Sequence, residues 1–104
     1  MTDNINPFDH AAINDAIHGR IRLGIMAYLS AASPAIFGEL KARVNATDGN
    51  LSTHLRKLED AGYVEIEKRF EGRRPQTRVH LTESGRKAWL LYLDQIRSLL
   101  DAAE

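Results

Sequence analysis

The residues best suited to chemistry in this sequence lie between Thr47 and Gly62, where short polar and basic side chains recur at helical spacing. One side of such a helix would carry Gly49, Thr53, Arg56 and Asp60, flanked by Asn50, Ser52 and Lys57. Arginine pairs bidentately with guanine, asparagine with adenine, and serine or threonine with either. The composition is therefore that of a face that reads base edges, although a solvated helix face would have the same composition.

An apolar stripe on the opposite side of this segment predicts that it is a helix. The stripe consists of Leu51, Leu55, Leu58 and Ala61, a spacing typical of an amphipathic helix. Thr47 is suited to cap the N-terminus, Asp48 to meet the positive end of the helix dipole, and Gly62 to end the helix. We therefore expect a helix over residues 47–62 with its leucines in the core.

No set of residues in the sequence indicates catalysis. Ser52 and His54 are two positions apart, and side chains at that spacing on a helix do not face each other. The sequence contains neither a glycine-rich phosphate loop nor a metal-binding motif. We therefore predict a protein that is not an enzyme and that has no cofactor.

Histidines near the N-terminus raise the question of a metal site. His10 and His18 lie near Asp9 and Asp15, but two histidines without a further ligand cluster are more typical of surface or capping positions. The chain has no cysteine, which excludes disulfides and thiolate metal sites. No metal is predicted.

Length and composition are those of one soluble globular domain. The chain has 104 residues, of which 43% are hydrophobic and 27% are charged. The N-terminus lacks the basic flank and apolar run of a secretory signal, and no stretch approaches the length of a membrane span. We expect a single cytoplasmic domain over residues 1–104, with no membrane partner.

The formal net charge is zero, but it is unevenly distributed. Residues 50–87 contain nine lysines and arginines and six aspartates and glutamates, whereas the segments on either side are net negative. The positive charge is thus concentrated around the polar helix face. A local basic patch is more informative about nucleic-acid binding than the total charge.

The segments before this helix predict a helix-turn-helix arrangement. Residues 1–12 read as an irregular arm, and isoleucines at helical spacing predict a helix over 13–29. Gly19 and Gly24 interrupt that pattern and leave open whether its first part is a separate short helix. Ser33-Pro34 should end the helix, and residues 35–37 form at most a fragment of strand. A second short helix over 38–44 then turns at residues 45–46 into the polar helix, giving a helix-turn-helix over 38–62.

After Gly62 the period changes from helical to alternating, which predicts a β-hairpin over 63–82. Its first strand alternates Val64 and Ile66 with glutamates, and its second places Val79 inward and Arg78 outward. A turn-rich tip over 71–76 carries two arginines. Cations at an exposed tip favour an anionic partner, although most charged loop tips bind nothing.

Thr82 can cap a last helix, predicted over residues 85–103. Trp89, Leu93, Ile96 and Leu100 are spaced as the a and d positions of a heptad seam, continued by Ala103. Further apolar residues lie outside this seam, and a helix that is apolar on two sides must be covered on both. A second protomer is the simplest cover for the seam, which predicts a homodimer. The alternative is a helix folded back wholly onto its own domain.

Two motifs together resemble a known family. The run from Leu51 to Val64, and the Gly72-Arg73-Arg74-Pro75 tip followed by Leu81-Thr82-Glu83-Ser84-Gly85, resemble prokaryotic winged helix-turn-helix transcription regulators of the MarR and ArsR type. The resemblance covers residues 17–90. It implies a mostly α fold with a small β-hairpin (α+β), consisting of a winged helix-turn-helix and a long C-terminal dimerisation helix.

The resemblance also implies a mode of DNA binding. In this family the third helix enters the major groove, and the hairpin, called the wing, contacts the backbone or the minor groove. The positions that would then face the major groove are Asn50, Ser52, Thr53, His54, Arg56 and Lys57, and the wing contacts would be Arg73, Arg74, Gln76 and Arg78. The partner would be a pseudo-palindromic site on double-stranded DNA, bound by a homodimer.

The chain departs from the family in two respects. It is shorter than typical MarR proteins and has one C-terminal helix, so the usual effector pocket does not carry over and no small-molecule effector is inferred. The thiolate metal site of ArsR proteins is impossible without cysteine. The predicted function is sequence-specific DNA binding as a transcriptional regulator. The alternative is a winged-helix module that makes only protein contacts, because fold does not fix function.

Overall fold

The computed structural model describes residues 6–103, and its architecture confirms the predicted α+β class. The elements in chain order are a short 3-10 helix (His10–Ala12), α1 (Arg20–Ala31), β1 (Ala35–Ile36), α2 (Phe37–Val44), α3 (Asp48–Asp60), β2 (Val64–Glu71), β3 (Arg74–Leu81) and α4 (Glu83–Ala103). Helix-turn-helix, hairpin and long C-terminal helix follow one another as predicted. Of the predicted irregular arm, residues 1–5 lie outside the described residues, and the 3-10 helix occupies its end.

The core is built around the apolar stripe of α3. Leu51, Leu55 and Leu58 are each at most 2% exposed, as the helical spacing predicts. The remaining buried hydrophobic residues are Ile17, Ile25, Met26, Leu29, Ala35, Leu40, Val64, Val79, Trp89 and Tyr92. Each of the helices α1 to α4 and each of the three strands contributes to this set, and the burial of its leucines turns the polar side of α3 outward.

The segment before α1 is not helical, although the isoleucine spacing predicts a helix from residue 13. The side-chain oxygen of Asn14 accepts hydrogen bonds from the backbone N–H groups of Ala16 and Ile17, at 2.9 and 3.2 Å. These bonds fix a turn instead of a helix. Ile17 lies in this turn and is fully buried. Helix α1 begins only after Gly19.

The three strands form an antiparallel sheet in the order β1-β3-β2. Pairing of β2 with β3 continues to Glu71 opposite Arg74, which leaves a two-residue loop of Gly72 and Arg73. The turn predicted over residues 71–76 is therefore too long. Gly72 has a φ of +65°, as the first position of a tight hairpin loop requires. Pro75 is tolerated in β3 because β1 no longer pairs at that level.

Helix α4 begins two residues earlier than predicted. The residues of its predicted heptad seam differ in exposure, since some pack in the core and others face solvent. The hydroxyl of Thr82 accepts a hydrogen bond from the backbone N–H of Gly85 at 2.9 Å, which supports the predicted cap. Trp89 is only 9% exposed and stacks on Tyr92 in the core of its own chain, so its assignment to a dimer seam is corrected. Leu93 and Leu100 remain 40% and 63% exposed, while Ile96 packs at the edge of the core.

Candidate nucleic-acid interface

Helix α3 presents its polar face to solvent. The hydroxyl of Thr47 accepts a hydrogen bond from the backbone N–H of Asn50 at 3.2 Å and thereby caps the helix. Five of the six positions predicted to face DNA are exposed, namely Asn50, Ser52, Thr53, Arg56 and Lys57. Within residues 6–103, neither Arg56 nor Lys57 forms a salt bridge. This face therefore offers hydrogen-bond donors and two uncompensated positive charges.

A groove of about 600 Å³ separates α3 from the inner face of the hairpin. It is lined by Phe37, Ser52, Leu55, Arg56, Glu59, Ile66, Lys68 and Thr77. The floor is apolar, and the walls carry two cations, one carboxylate and two hydroxyls. The groove is partly open to solvent.

Lys68 is a cation of this groove that the sequence-based site lacks. It lies on β2 with Thr77 as its partner on β3, on the same face as Val64 and Ile66. The alternation that identifies Val64 and Ile66 as inward residues places Lys68 on that face as well, so the sequence did contain the signal. Beyond the core, the inward face of β2 borders the groove. A lysine is tolerated there because its side chain stays exposed.

The hairpin tip projects two cations. Arg73 lies in the two-residue loop and Arg74 at the start of β3, and both are exposed. Neither forms a salt bridge with any described residue. The tip therefore has the exposure and the charge that contact with a phosphate backbone requires.

Gln76 and Arg78 lie lower on the hairpin and are partly buried. They alternate with Thr77 and Val79 and so occupy the opposite face of β3. The Nε of Arg78 donates to Oε1 of Gln76 at 2.9 Å, and its guanidinium lies 4.0 Å from a carboxylate oxygen of Glu71. The four predicted wing residues thus form two groups. Arg73 and Arg74 at the tip have no salt-bridge partner among the described residues, whereas Gln76 and Arg78 at the base of the wing are hydrogen-bonded to each other.

His54 is the predicted groove residue that the structure turns inward. Its Nδ1 lies 2.9 Å from Nη1 of Arg22 in α1. Arg22 also donates from Nε to the carbonyl of Ala16 at 2.7 Å, so one side chain connects α3 with the turn before α1. Burial of the imidazole, followed by the positive charges of Arg22 and Lys57, lowers the pKa of His54 below its ordinary value.

The described residues offer few other arrangements that could do chemistry. Among them, no hydrogen bond joins His54 to Ser52, and no group of three potential ligands could hold a metal ion. His18 instead places Nδ1 3.0 Å from the hydroxyl of Tyr92 on α4. Over residues 6–103, none of the helices has the length and apolarity needed to cross a membrane.

Known proteins with a similar sequence or structure share this fold. Residues 21–100 match the family of winged helix DNA-binding domains. An uncharacterized protein of Methanocaldococcus jannaschii is 39% identical over 79 residues, which are 76% of this chain and 86% of the relative. A solved transcriptional regulator homologue from Pyrococcus horikoshii is 30% identical with a TM-score of 0.80, and the match covers 86% of this chain and 88% of that protein.

A MarR-family transcriptional regulator from Silicibacter pomeroyi is also similar, with 26% identity and a TM-score of 0.65. This match covers 82% of the present chain but 56% of the regulator, so the chain spans about half the length of that protein. The fold is shared with these solved transcriptional regulators. With its structural neighbours among MarR-family regulators, the chain belongs to the family of winged helix DNA-binding domains.

Proposed function

We propose that this chain is a homodimeric transcriptional regulator that binds double-stranded DNA in a sequence-specific manner. Helix α3 enters the major groove and reads base edges. The hairpin lies over the backbone or in the adjacent minor groove. The half-sites of a two-fold dimer are then about 10 base pairs apart from centre to centre, one turn of the double helix.

The observation that carries this proposal is a set of cations without carboxylate partners on α3 and the hairpin. The set consists of Arg56, Lys57, Lys68, Arg73 and Arg74, none of which forms a salt bridge within the described residues. Elsewhere on the surface, Lys41 and Lys87 have carboxylate partners at 2.8 and 3.6 Å, whereas arginines such as Arg20 and Arg43 have none among the described residues, so the set is defined by its clustering on one surface as well as by its free charge. Neutralisation of DNA phosphates releases counterions and supplies much of the affinity of such proteins.

The two walls of the groove make different kinds of contact with DNA. Ser52 and Arg56 project from the exposed side of α3, where they reach base edges. Lys68 lies across the groove on the hairpin, where it meets the phosphates of the strand that passes between helix and hairpin. Arg56 is therefore assigned to base reading and Lys68 to backbone contact.

The dimer rests on the outer surface of α4. Leu93 and Leu100 are seven residues apart and therefore lie on one side of the helix. They are 40% and 63% exposed, and Leu90 near the same side is 57% exposed. A second copy of α4 packed against this surface removes all three leucines from water.

The test is a comparison of the two assigned side chains on two DNA duplexes. A duplex selected from random DNA by the protein, here named the selected duplex, is compared with a scrambled duplex by fluorescence anisotropy at several salt concentrations. We expect Arg56→Ala to cost about 1–3 kcal/mol on the selected duplex and much less on the scrambled one. Lys68→Ala should weaken both duplexes equally and make the salt dependence shallower by about 0.9 per protomer.

An arginine outside the site provides the control. Arg20 is exposed at the start of α1, and Arg20→Ala should leave both affinities unchanged. Equal losses on both duplexes for Arg56→Ala would assign Arg56 to phosphate contact rather than base reading. If the wild-type protein binds neither duplex at low salt, the DNA-binding proposal fails, and the alternative of a protein-contact module replaces it.

A further inference from the structure

The hydrogen bond between Arg22 and His54 fixes more than the position of the imidazole. A guanidinium carries only donors, so the Nδ1 that lies 2.9 Å from Nη1 of Arg22 must be the acceptor. An imidazole that accepts at Nδ1 is neutral and carries its proton on Nε2. Arg22 therefore selects one of the two neutral forms of the ring.

The guanidinium of Arg22 is itself held in place. Its Nε donates to the carbonyl of Ala16 at 2.7 Å, and its Nη2 lies 3.4 Å from the carbonyl of His18. Both carbonyls belong to the turn before α1, which is anchored by the fully buried Ile17. Two backbone carbonyls thus hold the guanidinium that faces His54, and the ring cannot exchange its proton between the two nitrogens without losing its bond to Arg22.

The opposite nitrogen of the ring is open. Within residues 6–103, Nε2 of His54 has no hydrogen-bond partner, yet it is not buried, since the one buried side-chain polar atom without a partner there is Oε1 of Gln95. A neutral N–H donor on α3 is therefore accessible to solvent. Such a donor can bind an acceptor on DNA without bringing a charge.

Helical spacing places this donor on a defined side of α3. Asn50, His54 and Lys57 are four and three residues apart and share one side. Ser52, Arg56 and Glu59 line the groove toward the hairpin on the other side. When α3 lies in a major groove, one strand passes between α3 and the hairpin, and the other strand meets the side with His54.

We infer that Arg22 is a positioning residue that holds His54 in its Nε2–H form, so that this N–H donates to a backbone phosphate oxygen of the DNA strand farther from the hairpin. The inference rests on the proposed function for its DNA contact. The form of the ring in the free protein is independent of that function.

The form of the ring is tested without DNA. Nitrogen-15 correlation spectra of the labelled protein near neutral pH should show His54 with its proton on Nε2, the signal being assigned by its absence in His54→Gln. Arg22→Gln should give a mixture of the two neutral forms. Because Arg22 also supports the turn before α1, the wild-type spectrum is decisive where that variant does not fold. A proton on Nδ1 in the wild type would overturn the inference.

The phosphate contact is tested with the selected and scrambled duplexes. His54→Leu should weaken both by the same factor, about tenfold, since a hydrogen bond to a charged group is lost. His54→Gln retains an amide N–H and should bind within about threefold of wild type on the same scale. Because the donor is neutral, neither variant should change the salt dependence, whereas Lys57→Met should make it shallower by about 0.9 per protomer.

Three outcomes would overturn the contact. An unchanged affinity in His54→Leu would show that Nε2 meets no DNA group. A shallower salt dependence would show that the bound ring is charged, and a loss confined to the selected duplex would show a base acceptor instead of a phosphate. If the wild type binds no DNA, the phosphate contact fails together with the proposed function, while the ring form is still decided by the spectrum.

Discussion

Gln76 and Arg78 are bonded to each other across one face of the hairpin, with Nε of Arg78 donating to Oε1 of Gln76 at 2.9 Å. On the same face Nε2 of His80 lies 3.0 Å from a carboxylate oxygen of Glu67. A side chain that is already bonded must give up that bond to reach DNA, whereas the arginines at the tip need not. We therefore expect the wing to contact the DNA backbone through its tip and not through its base.

This separation gives the first prediction. Arg73→Ala together with Arg74→Ala should weaken binding to every DNA sequence by a similar factor and leave the preferred sequence unchanged. The double variant removes two cations per protomer, so the slope of log affinity against log salt should become shallower by up to about 1.8 per protomer. Equilibrium binding at several salt concentrations measures this slope.

A matched variant lies on the same hairpin. Gln76→Ala together with Arg78→Ala should change the slope much less, because the charge of Arg78 lies beside the carboxylate of Glu71. Equal changes in slope for the two double variants would contradict the division between tip and base. An unchanged slope and affinity in the tip variant would remove the wing from the binding surface.

A second prediction concerns the leucines of α4. Leu93→Glu together with Leu100→Glu should convert the dimer to monomers, because both charges would be buried in the interface without partners. Sedimentation velocity at about micromolar concentration measures the oligomeric state, given the usual range of dimer affinities. The monomeric variant should also occupy only a single half-site on DNA.

The control for this prediction is a leucine on the other side of the same helix. Leu91 is 59% exposed but lies about 160° from Leu93 around α4, at 100° per residue. Leu91→Glu should therefore leave the dimer intact. A wild-type protein that sediments as a monomer at the same concentration would refute the dimer directly.

Much of the fold could be predicted because local patterns agree with the core. The leucine stripe of α3, the cap at Thr47 and the alternation of Val64 and Ile66 each depend on a few neighbouring residues, and each is confirmed. Where prediction was wrong, a distant or side-chain contact decided the outcome. The isoleucine spacing before α1 is helical, yet the side chain of Asn14 bonds the local backbone and forms a turn.

The candidate site could be predicted less completely, because exposure depends on partners that are far away in sequence. His54 is a plausible groove residue by position, but its bond to Arg22 joins residues 32 positions apart, and no local pattern reveals it. Trp89 fits a heptad seam, but the domain core occupies its side of α4. Lys68, in contrast, could be predicted from strand alternation, because it follows Val64 and Ile66 on the inward face of β2.

A third prediction is a pH dependence of stability. The pKa of His54 is lowered in the folded protein, chiefly by burial and then by Arg22 and Lys57. A histidine with a lowered pKa contributes its full stability above its ordinary pKa of about 6.5, and this contribution is lost as the pH falls through the folded-state value. Urea unfolding from about pH 7.5 to about pH 5.5 should therefore show a loss of stability.

His54→Gln isolates this effect from the other histidines of the chain. Its amide does not titrate, so the variant should lose less stability than the wild type over the same pH interval. Identical pH profiles for the two proteins would mean that His54 keeps its ordinary pKa. The result would then also count against a fixed bond between Arg22 and His54.

The last prediction concerns the close approach of α4 to the start of the hairpin. A Cβ atom on Gly85 would lie 2.1 Å from the carbonyl oxygen of Tyr63 and 2.9 Å from Cδ1 of Leu81, so Gly85→Ala forces the backbone apart. Such overpacking costs about 1–3 kcal/mol, and the melting temperature should fall by about 4–8 °C for each kcal/mol. Gly38→Ala is the control, because a Cβ there meets nothing within 4 Å and alanine favours a helix. Thermal melts at one protein concentration compare the two variants, and a Gly85→Ala protein as stable as wild type would contradict this packing of α4.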